Sequence, residues 1–356
     1  MTSEAIVDLT AFGKNVRHLR SVVAPAELMV VLKADAYGHG LVPMARAAVE
    51  AGAKRIGVLD VDSALAVREA GVGTGTMVMA WQYGPSQDFT AAVAAQVDLG
   101  VSQQHELWAI ADAATSVPAS VHLKIDTGLN RNGAAPQDWP ALVSLARSLR
   151  DAGRIRIIGV WSHIAEASED EDTESMRRFE RAIDVADELG VAFEVRHLAA
   201  SSAGLRRSDI RYDMVRMGGH CWGIPSFDGV TPSEIGIIPV MTLTSEIAST
   251  FTERGERMAV LALGHAQGIP AKAAGRVATT IAGRHAPVRH VGTDFMLVTV
   301  DETVRVGDTA TLFGTGAGGE QTVREWGDLT DTLGDEIVTR IARGVPRRYV
   351  GSASGK

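Results

Sequence analysis

Eight short apolar runs, spaced roughly twenty to forty residues apart, constrain this chain more than any other feature. They are Leu28–Leu32, Ile56–Leu59, Met77–Trp81, Val97–Val101, Val121–Ile125, Ile155–Trp161, Phe193–Leu198 and Met214–Met217. Amphipathic stretches lie between many of them, clearest at Trp139–Leu149 and Met176–Leu189. A strand that is apolar along its whole length has both faces buried, as in a parallel sheet covered by helices. Eight strands alternating with helices suit a closed (β/α)8 barrel of the TIM type. A doubly wound open sheet fits the same periodicity, and spacing alone does not decide between them.

The character of the chain changes after about Thr231. Helical patterns give way to β-rich runs at Val240–Thr244, Met258–Leu263, Phe295–Val300 and Thr309–Phe313. These read as a small β-rich C-terminal domain. The expected division is a barrel over 1–230 and a β domain over 231–356, within the reach of a 356-residue chain. Gly314–Gly319 follows a strand, but no helix opens directly after its glycines, so it reads as a loop rather than a dinucleotide fingerprint. A short helix is expected over Asp335–Ala342, and the tail from Gly351 to Lys356 reads as disordered.

Charge and cysteine content exclude several classes. A formal net charge of -8 with no long basic run argues against a nucleic-acid partner. No apolar run reaches membrane-spanning length, and the start Met1–Ala5 does not read as a secretion signal. The single cysteine, Cys221, excludes an internal disulfide and a cysteine-rich metal site. A cytoplasmic enzyme acting on a small molecule, without a metal, is the expectation.

The first apolar run leads into chemistry. Leu28-Met-Val-Val-Leu-Lys33-Ala-Asp-Ala-Tyr37-Gly-His-Gly40 reads as buried strand, turn and helix start, with Leu41, Met44, Ala45, Ala48 and Val49 at helical spacing. Lys33 then stands at the carboxyl end of a strand, where barrels and α/β sheets carry their chemistry. A partly desolvated lysine there loses proton affinity and can attack carbonyls. Taken alone, a strand-end lysine is a surface residue. Tyr37 and the backbone around Gly38 and Gly40 add groups suited to a phosphate.

The stretch resembles the pyridoxal phosphate attachment motif of the alanine racemase family, fold-type III enzymes. The resemblance implies a (β/α)8 barrel followed by a β domain, pyridoxal 5'-phosphate as cofactor, and a homodimer with shared active sites. It makes Lys33 the Schiff-base lysine and one of two acid/base groups, with Tyr37 reaching the phosphate. Further segments carry the same likeness. Lys124-Ile-Asp-Thr-Gly-Leu-Asn-Arg131-Asn-Gly133 is similar to the family's second signature. It implies that Arg131 contacts the substrate carboxylate, and that Lys124 aligns with a lysine often carbamylated. His163 matches a histidine that packs on the pyridine ring. In His197-Leu-Ala-Ala-Ser-Ser202, Ser201 falls on the phosphate-binding serine, although Ala200 replaces the usual asparagine; by itself Ser201 reads as a helix N-cap. Asp213-Met-Val-Arg216-Met-Gly218-Gly219 places Arg216 at the pyridine nitrogen and the two glycine amides at the phosphate. An arginine is only a donor, so the nitrogen stays unprotonated, which favours racemisation over transamination.

The likeness weakens in the β domain. Where the family carries its second acid/base tyrosine, this chain reads Leu263-Gly264-His265-Ala266-Gln267-Gly268. Thr293 replaces a usual methionine, and Arg343 falls where a second tyrosine normally braces the first. Histidine is a competent base near neutrality, so His265 is the expected partner of Lys33. Arg343 can bind a second acidic group on a larger substrate. The expected function is an amino-acid racemase or epimerase whose substrate need not be alanine. The alternative keeps the cofactor and changes the bond broken, by retro-aldol cleavage, decarboxylation or a biosynthetic cyclisation. A non-catalytic cofactor-binding protein is the third reading.

Overall fold

The computed structural model describes residues 3–114, 117–166 and 168–355. The chain opens on β1 (Ser3–Asp8) and the helix Leu9–Val23. It then runs through β2 (Glu27–Val31), β3 (Arg55–Val58), β4 (Met77–Ala80), β5 (Asp98–Val101), β6 (Ala119–Lys124), β7 (Ile155–Trp161), β8 (Val195–His197) and β9 (Met214–Met217). These eight strands pair in parallel in the order β8-β7-β6-β5-β4-β3-β2-β9. Backbone bonds from Asp213 N to Arg196 O (3.0 Å) and from Arg216 N to Ala199 O (3.2 Å) join the two ends of that order. The result is a closed barrel, and the open-sheet alternative falls away. All eight apolar runs lie on its strands. β4 and β9 are buried at every residue, which is why their sequences do not alternate.

Among the helices of this unit, Trp139–Asp151 buries Leu142, Val143, Ala146 and Leu149, one face at 3.6-residue spacing. Glu169–Glu188 begins seven residues before the amphipathic stretch at Met176. Ser168 caps it, accepting from Glu171 N, and four acidic residues fill the first turn, favourable at the positive end of the helix dipole. Its start is thus set by a cap and charges, not by apolar spacing.

The second half supplies β10 (Met241–Glu253), β11 (Glu256–Leu261), β12 (Ala278–Ile281), β13 (Arg284–Val291), β14 (Met296–Thr299), β15 (Thr309–Phe313) and β16 (Arg347–Val350). β10 pairs with β15 through its first half and with β11 through its second, so β10–β15 close on themselves. β1 pairs antiparallel with β10 and parallel with β16, which makes the first strand of the chain part of this sheet. Both compact units are therefore discontinuous in sequence: one takes Met1–His18, Ala34–Ala51 and Gly219–Lys356, the other Leu19–Lys33 and Gly52–Gly218.

Two local expectations change. The tail is docked through Gly355: Ala353 is fully buried and its carbonyl accepts from Arg17. Lys356 lies outside the described residues. The expected helix near the end spans Gly334–Arg340, and a further helix, Val323–Leu329, precedes it. That second helix carries a Thr322/Glu325 capping box, a signal present in the sequence. Gly314–Gly319 is a loop, and helix opens only at Val323. No helix among the described residues is long and apolar enough to cross a membrane, and none of them form a group of three metal-ligand residues.

Candidate active site

Lys33 follows β2 at the carboxyl end of the barrel strands. The turn expected after Lys33 is present, and its backbone is unusual. Ala34, Asp35, Ala36 and Tyr37 all have φ between 53° and 55°, a single left-handed helical turn. Residues with a Cβ resist this conformation by roughly 1–2 kcal/mol each. The turn persists because its surroundings hold it. The buried His39 ring sets Nδ1 3.0 Å from both Ala36 O and Tyr37 O, and it stacks on Trp222 with ring centroids 4.6 Å apart. Two carbonyl acceptors require Nδ1 to carry the proton. Burial lowers the His39 pKa to about 4, so the ring is neutral. Asp35 accepts from Leu41 N at 2.7 Å and starts the helix Leu41–Glu50. Tyr37 is buried, and burial raises its phenol well above the ordinary range.

Inside the barrel unit, Arg216 is the centre of a buried polar group. Its guanidinium donates to the carbonyls of Ser162 (2.7 Å), His197 (3.0 Å) and Leu198 (3.1 Å), and to Nδ1 of His163 and of His197 (3.2 Å each). Since arginine only donates, each imidazole accepts on Nδ1 and carries its proton on Nε2. Burial, then the cations Arg216, Arg131, Lys124 and Lys33, push the His163 pKa down to about 2. His197 is held well below the ordinary range by burial and by Arg216. Lys124, 2% exposed, donates to Asn132 Oδ1 and stands 4.1 Å above the Trp161 ring centroid. Burial first, then Arg216 and Arg131, lower its pKa to about 7. Arg131 itself is exposed, on the loop that follows β6.

Ser201 is the first residue of the helix Ser201–Arg206, and the N-cap is Ala200, which makes no side-chain cap bond. The Ser201 hydroxyl instead accepts from Gly218 N at 3.3 Å, so hydroxyl and glycine amide meet at one point. The amide of Ala203 is taken by Glu166, whose carboxyl burial raises in pKa. Sequence reading missed Glu166; no motif marks it. Gly219 begins the other unit's segment and opens a 3-10 turn that ends at Trp222.

In the β-rich unit, His265, Thr293 and Arg343 come together. His265 N donates to Gly292 O (2.9 Å), Ala266 N to Thr293 O (2.8 Å), and Ala342 N to Gln267 O (3.2 Å). Gln267 folds back to accept from Gly264 N at 2.9 Å. The His265 side chain is exposed, with Nδ1 3.3 Å from Ile269 O. Arg343 is 88% exposed and pairs with Asp35 at 3.8 Å.

Comparison with known proteins bears directly on these groups. Residues 7–225 match the family model "Alanine racemase, N-terminal domain", and residues 243–349 match "Alanine racemase, C-terminal domain". The chain belongs to the alanine racemase family. It is 37% identical to the alanine racemase of Thermobifida fusca and 39% identical to that of Beutenbergia cavernae, each alignment covering 98% of both chains. It superposes on the alanine racemase of Streptomyces coelicolor A3(2) with a TM-score of 0.95 and 36% identity, over 99% of this chain and 98% of that one. Alanine racemases are pyridoxal 5'-phosphate enzymes, and this chain is a pyridoxal 5'-phosphate enzyme of that family. The donor chemistry fits the cofactor. The barrel unit offers a strand-end lysine, a hydroxyl beside a glycine amide, and a buried arginine next to a neutral histidine. Such donors suit an anionic phosphate and an unprotonated pyridine nitrogen.

Proposed function

We propose that the protein interconverts the enantiomers of a small amino acid, with alanine the first candidate by kinship, using Lys33 and His265 as opposed acid/base groups. The observation that carries this is the environment of Arg216: its hydrogen bonds run to carbonyls and to uncharged imidazoles. Bound pyridoxal phosphate would supply a sink for the electrons left at Cα when its proton departs. Lys33 would hold the cofactor and then carry a proton at one face of Cα. Arg131 would match the substrate carboxylate with two parallel hydrogen bonds. His163 would lie against the ring, and Arg216 would donate to the pyridine nitrogen without transferring a proton. Weak withdrawal at that nitrogen favours prompt return of the proton to Cα. Ser201, Gly218, Gly219 and Tyr37 would hold the phosphate.

His265 would serve the opposite face, supplied by the β-rich domain of a second copy in a homodimer. Thr293 would line the substrate side beside it. Arg343, which Asp35 holds only at 3.8 Å, would read a second acidic group on a larger substrate. Lys124 would steady Arg131 as a carbamate, since an amine with its pKa near 7 is uncharged in a large fraction at neutral pH, and only the uncharged amine adds carbon dioxide.

The test is incubation in deuterated water with single enantiomers of alanine, serine, aspartate and glutamate. Loss of chirality with deuterium at Cα is the expected result. Retention of configuration, or release of aldehyde or carbon dioxide, would overturn the racemase reading.

A further inference from the structure

A line of hydrogen bonds runs from Arg216 through the barrel interior to a carboxylate at the opposite end of the strands. Arg216 Nη1 is 3.2 Å from His197 Nδ1, His197 Nε2 is 3.1 Å from His122 Nδ1, and His122 Nε2 is 3.0 Å from Asp98 Oδ2. His122 and His197 are fully buried, with their rings packed edge to face at 5.2 Å. Asp98 begins β5, and its side chain is 14% exposed. It borders a cavity of about 410 Å³ at the amino ends of the strands, lined also by Arg55, Arg68 and Arg156.

The direction of every bond in this line follows from its first member. Arginine can only donate, so His197 must accept on Nδ1 and donate from Nε2. His122 must then accept on Nδ1 and donate from Nε2, and the line can end only on an acceptor. Asp98 supplies one with a full negative charge. Bonds aligned head to tail polarise one another in a buried setting. Each imidazole therefore draws density toward the ring nitrogen that faces the arginine. Glu166 acts on Arg216 through space, but no carboxylate is among the arginine's hydrogen-bond acceptors described above, so the histidine line is the route by which a carboxylate meets it through hydrogen bonds.

We propose that Asp98 and His122 are positioning residues that fix the His197 tautomer and weaken Arg216 as a donor toward the cofactor ring. This rests on the racemase reading in its functional consequence, and not in its structural content. With the Asp98 charge gone, Arg216 becomes a stronger donor and the ring nitrogen a stronger sink. A proton taken from Cα then returns more often to the carbon of the cofactor that bears the substrate nitrogen. Hydrolysis releases the keto acid and leaves the cofactor as its amine.

The first experiment uses 15N-histidine-labelled apoprotein. Long-range 1H–15N correlation should show His122 and His197 neutral, both with Nε2 protonated and Nδ1 bare. A proton on Nδ1 of either ring, or a charged ring, overturns the relay without any variant. The second uses Asp98→Asn, which keeps an oxygen acceptor for His122 and removes the charge. In the apoprotein the Nδ1 signal of His197 should move. In the holoenzyme, conversion of cofactor to its amine form, counted per racemisation turnover by absorbance, should rise about tenfold, the factor that one unit of proton affinity carries. KM for alanine should stay within about threefold, because Asp98 is remote from the substrate groups. An unmoved Nδ1 signal with an unchanged ratio overturns the proposal. If the protein does not racemise amino acids, the apoprotein spectrum still reads the relay. If it racemises with the opposite tautomers, the relay alone falls.

Discussion

Arg216 Nη2 and His163 Nδ1 stand 3.2 Å apart, and the arginine's inability to accept fixes which imidazole nitrogen bears the proton. With burial and four cations holding its pKa near 2, His163 carries no charge at any working pH. Its value to the site is shape and a fixed Nε2–H. His163→Gln should lower kcat/KM by about tenfold or more while leaving the form of the pH profile unchanged between pH 5 and 9. A lost ionisation in that range, seen in a pH–rate series, would assign the proton-carrying role to His163 instead.

Lys124 makes a stability prediction with a definite sign. Its folded pKa of about 7 lies below the unfolded value of 10.5, so between those limits the unfolded chain binds more protons. Stability from this group therefore rises as pH goes from about 7 to 10.5, and the cost of burying the ammonium is fully present below 7. Urea melts of the apoprotein in carbon dioxide-free buffer should show this rise. Lys124→Met should flatten it and raise stability near pH 6 by on the order of a few kcal/mol. With 13C-bicarbonate, a carbamate resonance should appear in the parent protein and be missing from the variant.

His265→Ala should lower racemisation in both directions by about 10²- to 10⁴-fold, the value of a positioned acid/base. Lys33-dependent exchange at one face of Cα should survive. His265→Tyr should recover activity toward alanine if the phenol reaches the same face. Deuterium entering on one face only in the parent enzyme would show that His265 does not act on Cα.

The shared-site homodimer predicts complementation. Lys33→Ala and His265→Ala proteins, each strongly impaired in racemisation, should recover activity after mixing and subunit exchange, because one of the two sites in a heterodimer is whole. Sedimentation should give a dimer at assay concentration. A fully active monomer excludes the arrangement.

The left-handed turn is testable by chain flexibility. Ala34→Gly relieves a left-handed residue that is exposed, and should raise apoprotein stability by about 1 kcal/mol. Gly38→Ala should do the opposite and more strongly. Its Cβ would lie 2.3 Å from Val338 O at a φ of +77°. Thermal melts separate the two outcomes.

What the sequence settled by itself follows from local periodicity and from strings of adjacent residues. The eight barrel strands were legible because most are buried along most of their length and so read as apolar runs, although β8 exposes Arg196 and β7 exposes Arg156. Lys33, Arg131, Ser201 and Arg216 could be singled out as candidates because each sits in a contiguous motif. β1, β12, β13 and β16 were not legible. β13, Arg284–Val291, exposes charged side chains and contains Pro287, and β1 is six residues long, so neither announces a strand without its partners. Tertiary structure alone decided four matters. It joined β1 to a sheet whose other strands follow more than 230 residues later, since pairing depends on where backbones meet and not on sequence distance. It wound Ala34–Tyr37 left-handed, where the buried His39 ring holds the Ala36 and Tyr37 carbonyls and the Gly38 and Gly40 amides hold those of Ala34 and Asp35, against local preference. It assigned the imidazole tautomers, because only the arrangement of donors around Arg216 leaves one choice. And it linked Asp98, His122 and His197, residues with no common motif, because β5, β6 and β8 turn them toward one buried line where each unpaired polar atom would be costly.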